Sequence, residues 1–240
     1  MNHIVFDSEC APAVPGGGVN PNVARAYDVG FVVINDAGDL LHEYNVGIAE
    51  TFGDMQVMTN AYYKNKLGKY LADMRSGTLP MRSAAQARRD IYDVCKEYNV
   101  RNIWAYNCKY DYTALNATVA AYSQGFSKYF WPYGTTVCDI AVLFGETIGA
   151  TEKYVNYCKV NGFMTPNGNP KTSAEIAYRY ISGDNGFIEE HTALSDAIIE
   201  SEILAKCFKR RKSTANSKNP KMWGTGWKNP AKVCADMRAK

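Results

Sequence analysis

The sequence predicts an α/β domain in which helices flank a mixed sheet, and three observations lead there. An apolar run, His3 to Asp7, reads as a short buried strand at the start of the chain. Two further strand patterns, 27–35 and 39–47, meet around Asp36-Ala37-Gly38-Asp39 and make an antiparallel meander. Beyond a helix near 83–99, strand and helix patterns alternate: a strand at 101–106, a helix at 109–123 and a strand at 135–140.

The connections and helices follow from local chemistry. Pro12 to Pro21, with Pro15 and Gly16-Gly17-Gly18, is a loop. Residues 50–80 are polar, bear Tyr and Lys, and lean towards helix, so they are expected to lie across one face. Ser83 is placed to cap a helix through Asn99, with Ala87, Ile91, Val94, Cys95 and Tyr98 near helical spacing. Helical stretches are expected near 140–148, 151–160 and 173–182, and a last helix over 193–208 ends in Lys209-Arg210-Arg211-Lys212. Ser213 to Lys218 reads as a linker, and Trp223-Gly224-Thr225-Gly226-Trp227 as a stretch that docks back on the body. The organisation is thus one domain over 1–208 and a basic tail over 209–240.

Composition excludes several classes. Hydrophobic residues make up 46% and charged residues 21% of the 240, values of an ordinary globular protein. No apolar run reaches the roughly 18 to 20 residues that cross a bilayer, and no secretory signal is visible at the amino terminus, so a cytoplasmic protein without membrane contact is expected. Seven scattered cysteines (10, 95, 108, 138, 158, 207, 234) include no C-x-x-C pair. They argue against a disulfide framework or a thiolate zinc site and read as free thiols in a reducing cytosol. Residues 206–240 hold eleven of the 27 Lys and Arg and one acid, Asp236, a net +10; residues 1–205 hold 16 bases and 23 acids, a net −7. A basic tail on an acidic body attracts polyanions, and nucleic acid is the favoured partner over a tail that serves solubility alone.

Three carboxylate motifs carry the chemistry. Asp7 and Glu9 in Asp7-Ser8-Glu9 are two apart on a strand and leave one face together, while Ile4 and Phe6 point into a core. Asp111 falls in the first turn of a helix that starts after a buried strand, at the strand end where open α/β sheets build their sites. Asn107, just ahead of it, is either a helix cap or a substrate hydrogen-bonder, with the cap favoured. Asp139 either caps the next helix or assists the site, and capping is again preferred. His191 and Asp196 are five apart, so they converge only if Thr192 caps the helix and His191 arches over from the preceding loop. Converging acids stay ionised only when cations neutralise them, and hard oxygen ligands suit Mg²⁺ or Mn²⁺. Two such ions, roughly 4 Å apart, would be clamped by Asp7, Glu9, Asp111 and Asp196, one activating a water and the other steadying the departing oxygen. With an ordinary pKa near 6.5, His191 can take the water's proton at neutral pH. Cys10 is read as packing rather than as a nucleophile.

In these residues the chain resembles the DEDDh branch of the DnaQ-like 3′–5′ exonucleases. The resemblance rests on Asp7-Ser8-Glu9, on Asn107-Cys108-Lys109-Tyr110-Asp111, and on His191-Thr192-Ala193-Leu194-Ser195-Asp196-Ala197 with the family's H-x₄-D spacing. Thr136-Val137-Cys138-Asp139-Ile140 is similar to the family's strand after the second motif, and the likeness covers about 1–208. It implies an RNase H-like fold with a mixed five-stranded sheet, and hydrolysis from a 3′ end that releases nucleoside 5′-monophosphates. Where relatives carry Thr-Thr-Gly to seat the terminal nucleotide, this chain has Cys10-Ala11-Pro12, and Pro12 offers no amide donor.

The expected substrate is single-stranded nucleic acid, DNA ahead of RNA. Tyr62, Tyr63, Tyr110 and Tyr112 are candidate stacking surfaces, and Lys209, Arg210, Arg211 and Lys212 candidate phosphate contacts. Two other readings compete. One is a nucleic-acid-binding or host-interaction module without turnover, against which all five filled catalytic positions argue. The other is an oligoribonuclease-like hydrolase of short nucleotides, for which the basic tail is surplus.

Overall fold

The computed structural model describes residues 1–12, 20–61 and 64–210. The 13–19 part of the glycine loop, Tyr62, Tyr63, Arg211, Lys212, the 213–218 linker and the Trp223–Trp227 stretch therefore lie outside the described residues. The meander is formed by β1 (Asn2–Ala11), β2 (Arg25–Asn35) and β3 (Leu40–Ile48), both pairings antiparallel. Short helices α1 (Ala49–Gly53) and α2 (Met55–Met58), a 3₁₀ turn at Lys64–Lys66 and α3 (Leu67–Ser76) follow. Then come β4 (Met81–Arg82), α4 (Ala84–Glu97), β5 (Asn102–Ala105), α5 (Lys109–Tyr122) and β6 (Thr136–Asp139). The chain closes with α6 (Ile140–Phe144), a π-helical turn at Gly145–Gly149, α7 (Glu152–Val160), α8 (Ala174–Ser182) and α9 (Ala193–Arg210).

The sheet runs β4-β3-β2-β1-β5-β6, with β5 parallel to both β1 and β6. It has six strands rather than five because Met81 and Arg82 add a short parallel pair beside Gly47 and Ile48 at the outer edge. The other five are those the sequence pattern marks. In β2 every residue from Ala26 to Ile34 is buried, as a strand covered on both faces requires.

The two faces carry separate cores. Ile4 and Phe6 pack with Ile91 of α4 and with Leu115 and Val119 of α5. Val5 packs on the other side with Leu143 of α6, Tyr154 of α7, Ala177 of α8 and Leu204 of α9. A third cluster joins Phe52, Met58 and Tyr70 from the 49–76 segment to Ala11 and Tyr27, so that segment does lie across the sheet.

Helix ends follow capping chemistry. The Gln86 amide donates to Ser83 Oγ at 3.2 Å, and Gln86 Oε1 accepts from the Ser83 amide at 2.9 Å, a reciprocal capping box. The helix stops at Glu97 rather than Asn99 because Asn99 turns left-handed (φ 50°) and the Val100 amide reaches back to the Cys95 carbonyl. The expected 140–148 helix widens at Gly145, where the Ala150 amide bonds the carbonyl five residues back. No helix among the described residues is long and apolar enough to cross a membrane.

Candidate active site

The site forms where β1 and β5 end and α5 and α9 begin. Asp7 and Glu9 leave β1 on the face that α9 covers, two strand positions beyond Val5. The first turn of α9 is pressed onto β2 at Gly30: a Cβ there would stand 2.2 Å from the Leu194 nitrogen. That contact needs glycine, and it brings Asp196 down over the first motif. One carboxylate oxygen each from Asp7, Glu9 and Asp196 lies within 4.8 Å of the others. Glu9 and Asp196 are buried, while Asp7 keeps partial access to solvent.

Asp111 arrives differently. It sits in the first turn of α5, which packs on the opposite, Ile4–Phe6, face. Its Oδ1 accepts from Ser8 Oγ at 2.8 Å, and it is a neighbouring charge for both Asp7 and Glu9 without joining the 4.8 Å group. The second motif thus borders the triad from the far side of β1.

His191 stands in the loop before α9 with φ 53°, and the Asp196 amide donates to the Thr192 carbonyl at 3.0 Å. His191 thus lies in the preceding loop, as the five-residue spacing required, while the Thr192 hydroxyl pairs with Ser195 Oγ at 2.7 Å. His191 Nδ1 lies 3.9 Å from Asp196 Oδ2 and 3.8 Å from Glu189 Oε2. Burial and the Lys66 ammonium lower its pKa below 6.5, against the opposing pull of Glu175. The ring is therefore neutral at pH 7 and free of the proton a base must receive.

Burial and mutual repulsion raise every acid here. Asp7 is pushed well up by burial, then by Asp111, Glu200, Glu9 and Asp196. Glu9 is raised by burial, Asp196 and Asp28, with Lys66 opposing. Burial lifts Asp111 while the Ser8 hydroxyl holds it back. Asp196 is pushed up to about 6 by burial, moderated by Ser195 and Lys66. The oxygens of Asp7, Glu9 and Asp196 stand close enough together to hold a metal ion, whose charge would offset this repulsion.

Four residues without a motif complete the site. Glu200, one turn beyond Asp196, is buried, and its Oε2 accepts from the Tyr106 amide at 3.0 Å, joining α9 to the end of β5. Asp28, paired with Glu9 across the ladder, accepts from Tyr70 Oη at 2.8 Å and from the Ala193 amide at 3.0 Å. Lys66 Nζ donates to the carbonyls of Glu190 and His191, which ties the 3₁₀ turn to the histidine loop. Glu189, pushed up to about 7 by burial and Asp196, flanks the imidazole. Glu200 was legible as an acid at i+4 from Asp196, and Asp28 as an acid inside an apolar run. Nothing in the sequence marks Lys66.

The expected substrate contacts separate into near and far. Cys10 is next to Ser8 (Sγ to Oγ 3.5 Å), and burial and Asp111 push its thiol well up, in keeping with packing rather than nucleophilic chemistry. Ala11 is fully buried in the third cluster and paired with Arg25. Tyr110 is half-buried, and burial first, then Cys10, Asp111 and Glu9, raise its phenol. Asn107 is exposed and does not cap: α5 starts after Cys108, and Asn107 takes the left-handed turn position (φ 55°) that asparagine tolerates. Asp139 does cap, its Oδ1 accepting from the Ala141 amide at 2.9 Å. Lys209 and Arg210 end α9 thirteen and fourteen residues after Asp196, about 20 Å along the axis, and do not reach the acids.

No protein-family model and no curated protein matches the sequence. Solved structures share the fold. The nuclease domain of 3′hExo, a DEDDh family member bound to rAMP, aligns over 87% of this chain and 92% of its own, with TM-score 0.57 and 12% identity. Exonuclease I of E. coli in complex with a dA16 oligonucleotide aligns over 88% of this chain and 41% of its own, with TM-score 0.53 and 15% identity. An ExoI/SSB-Ct complex gives TM-score 0.58 at 12% identity, over 88% of this chain and 42% of that one. This chain spans less than half of exonuclease I. The fold is the one shared by DEDDh-family nuclease domains, as the motifs implied.

Proposed function

We propose that this chain is a metal-dependent 3′–5′ exonuclease that shortens single-stranded nucleic acid, DNA ahead of RNA, and releases nucleoside 5′-monophosphates. The observation that carries the reading is the approach of Asp7, Glu9 and Asp196 to within 4.8 Å on this fold. The donor set suits two Mg²⁺ or Mn²⁺ ions: carboxylate oxygens with no thiolate among them, each made proton-avid first by burial. When bound, such ions lower the pKa of a water and neutralise charge on the departing oxygen.

The chain's own groups have distinct tasks. Asp7, Glu9 and Asp196 hold the cation site, and Asp111 bounds it from the α5 side. His191, neutral at pH 7, accepts the proton of the attacking water. Lys66 fixes the loop that carries it. Tyr110 at the rim offers a ring to the terminal base. Support for a single-stranded substrate comes from exonuclease I structures that hold dA16 and dT13 oligonucleotides, and from rAMP in 3′hExo. Residues 1–208 form the nuclease domain in this reading and 209–240 the basic tail, which adds long-range attraction for the strand.

The test is purified protein with Mg²⁺ or Mn²⁺ on DNA and RNA oligonucleotides labelled at the 5′ end. A ladder that shortens one nucleotide at a time is expected. Internal cuts, or no cleavage with either ion, would overturn the reading.

A further inference from the structure

The outer face of α5 carries cations and rings that the acid cluster does not use. A groove of about 510 Å³ follows it, walled by Lys109, Tyr112 and Asn116 on one side and by Lys128 and Tyr129 on the other. Behind the 123–129 connection a second hollow, of about 300 Å³, is lined by Arg88, Arg89 and Tyr92 of α4. Arg88 joins the two: its Nε donates to the Tyr129 carbonyl at 2.7 Å, and its guanidinium lies 4.3 Å from the Tyr92 ring centre. Four cations line these hollows and no acid does.

Tyr112 and Tyr129 supply the rings that line this groove. Among the described residues, the aromatic rings counted as exposed large side chains are Phe126 (93%), Tyr129 (62%) and Tyr133 (105%), all on the 123–135 connection. Rings held in water beside cations are what unpaired bases stack on while their phosphates are neutralised. Lys109, exposed in the first turn of α5, puts one end of the groove at the same helix end as Asp111, although the two side chains leave opposite sides of the helix.

We propose that the α5 groove and its rings bind the single strand upstream of the scissile bond, through Lys109 and Lys128 on phosphates and Tyr129 on a base. This rests on the exonuclease reading for its direction, and its test is built on binding alone. The variants are Lys128→Ala with Tyr129→Ala, the conservative pair Lys128→Arg with Tyr129→Phe, and Lys128→Glu alone as a single exposed change. Anisotropy of 5′-labelled single-stranded DNA and RNA is measured in EDTA, with thermal midpoints as a check on folding.

The alanine pair should weaken binding about tenfold, since loss of base stacking alone can account for that. Its salt slope should become shallower by about 0.7, one phosphate contact on a single strand. Lys128→Glu should weaken binding at least as much as loss of that contact, and the conservative pair should restore both values. A loss with DNA, RNA or both supports the groove and names the sugar it accepts. Unchanged affinity and slope on both strands in folded variants would overturn it, as would an equal loss in the conservative pair. Wild-type protein that forms a cleavage ladder while these variants bind normally loses the groove alone. Binding that depends on the groove without any cleavage sinks the exonuclease reading instead.

Discussion

Replacing Asp196 by asparagine should make the metal-free protein more stable while abolishing its response to divalent cations. Asp196 is pushed from 3.8 to about 6 by burial, against the pull of Ser195 and Lys66. Two pH units of displacement put the cost of ionising it in the fold on the order of 3 kcal/mol. Between pH 4 and 6 the folded state holds more protons than the unfolded chain, so stability falls as pH rises through that window and stays low above it. Asparagine keeps the size and the acceptor oxygen that faces Ser195 but carries no charge. At pH 8 in EDTA the variant should melt roughly 6–12 °C higher, given about 2–4 °C per kcal/mol for a chain of this size. Near pH 4 the two should coincide. Millimolar Mg²⁺ or Mn²⁺ should raise the midpoint of the wild type at pH 8 and leave the variant almost unmoved. Differential scanning fluorimetry across pH, with and without metal, reads all of this. A variant that is no more stable than wild type at pH 8 without metal would refute the electrostatic reasoning.

Three further outcomes follow from the geometry. His191→Ala should lower turnover roughly 10²- to 10⁴-fold with metal affinity largely kept, and the acid limb of the wild-type rate profile should lie below pH 6.5, the side to which burial and Lys66 move the imidazole; full activity in this variant would place the base elsewhere. Gly30→Ala should drive the first turn of α9 off β2, since the new Cβ would meet the Leu194 nitrogen at 2.2 Å, and should cost at least 1–3 kcal/mol in urea unfolding together with most activity; a stable, active variant would mean α9 has room to shift. Removing residues 209–240 should weaken long strands at low salt more than dinucleotides, and equal effects on both would assign the tail a structural role.

Strand and helix order was legible because apolar periodicity changes from 2 to 3.6 at clear boundaries, and Ser83–Gln86 and Asp139 announce their helices. The loop placement of His191 was legible too, since a five-residue spacing cannot align two groups on one helix. What local pattern did not carry is which sheet face each helix covers. Asp111 reads as an equal partner in the clamp, yet α5 packs opposite α9 and the Ser8 hydroxyl takes its Oδ1. Asn107 reads as a cap, but the chain needed a left-handed residue there to turn from β5 into α5. The edge pair Met81–Arg82 was too short to show any alternation. Lys66 acts through a fold that brings residues more than a hundred positions apart together, which no motif encodes.

Anomalous diffraction from crystals grown with Mn²⁺ measures the metal site most directly. The account predicts strong density between the oxygens of Asp7, Glu9 and Asp196, with a second ion on the side that Asp111 borders. Density that avoids these carboxylates, in crystals where the protein is folded and the ion is present, would contradict it.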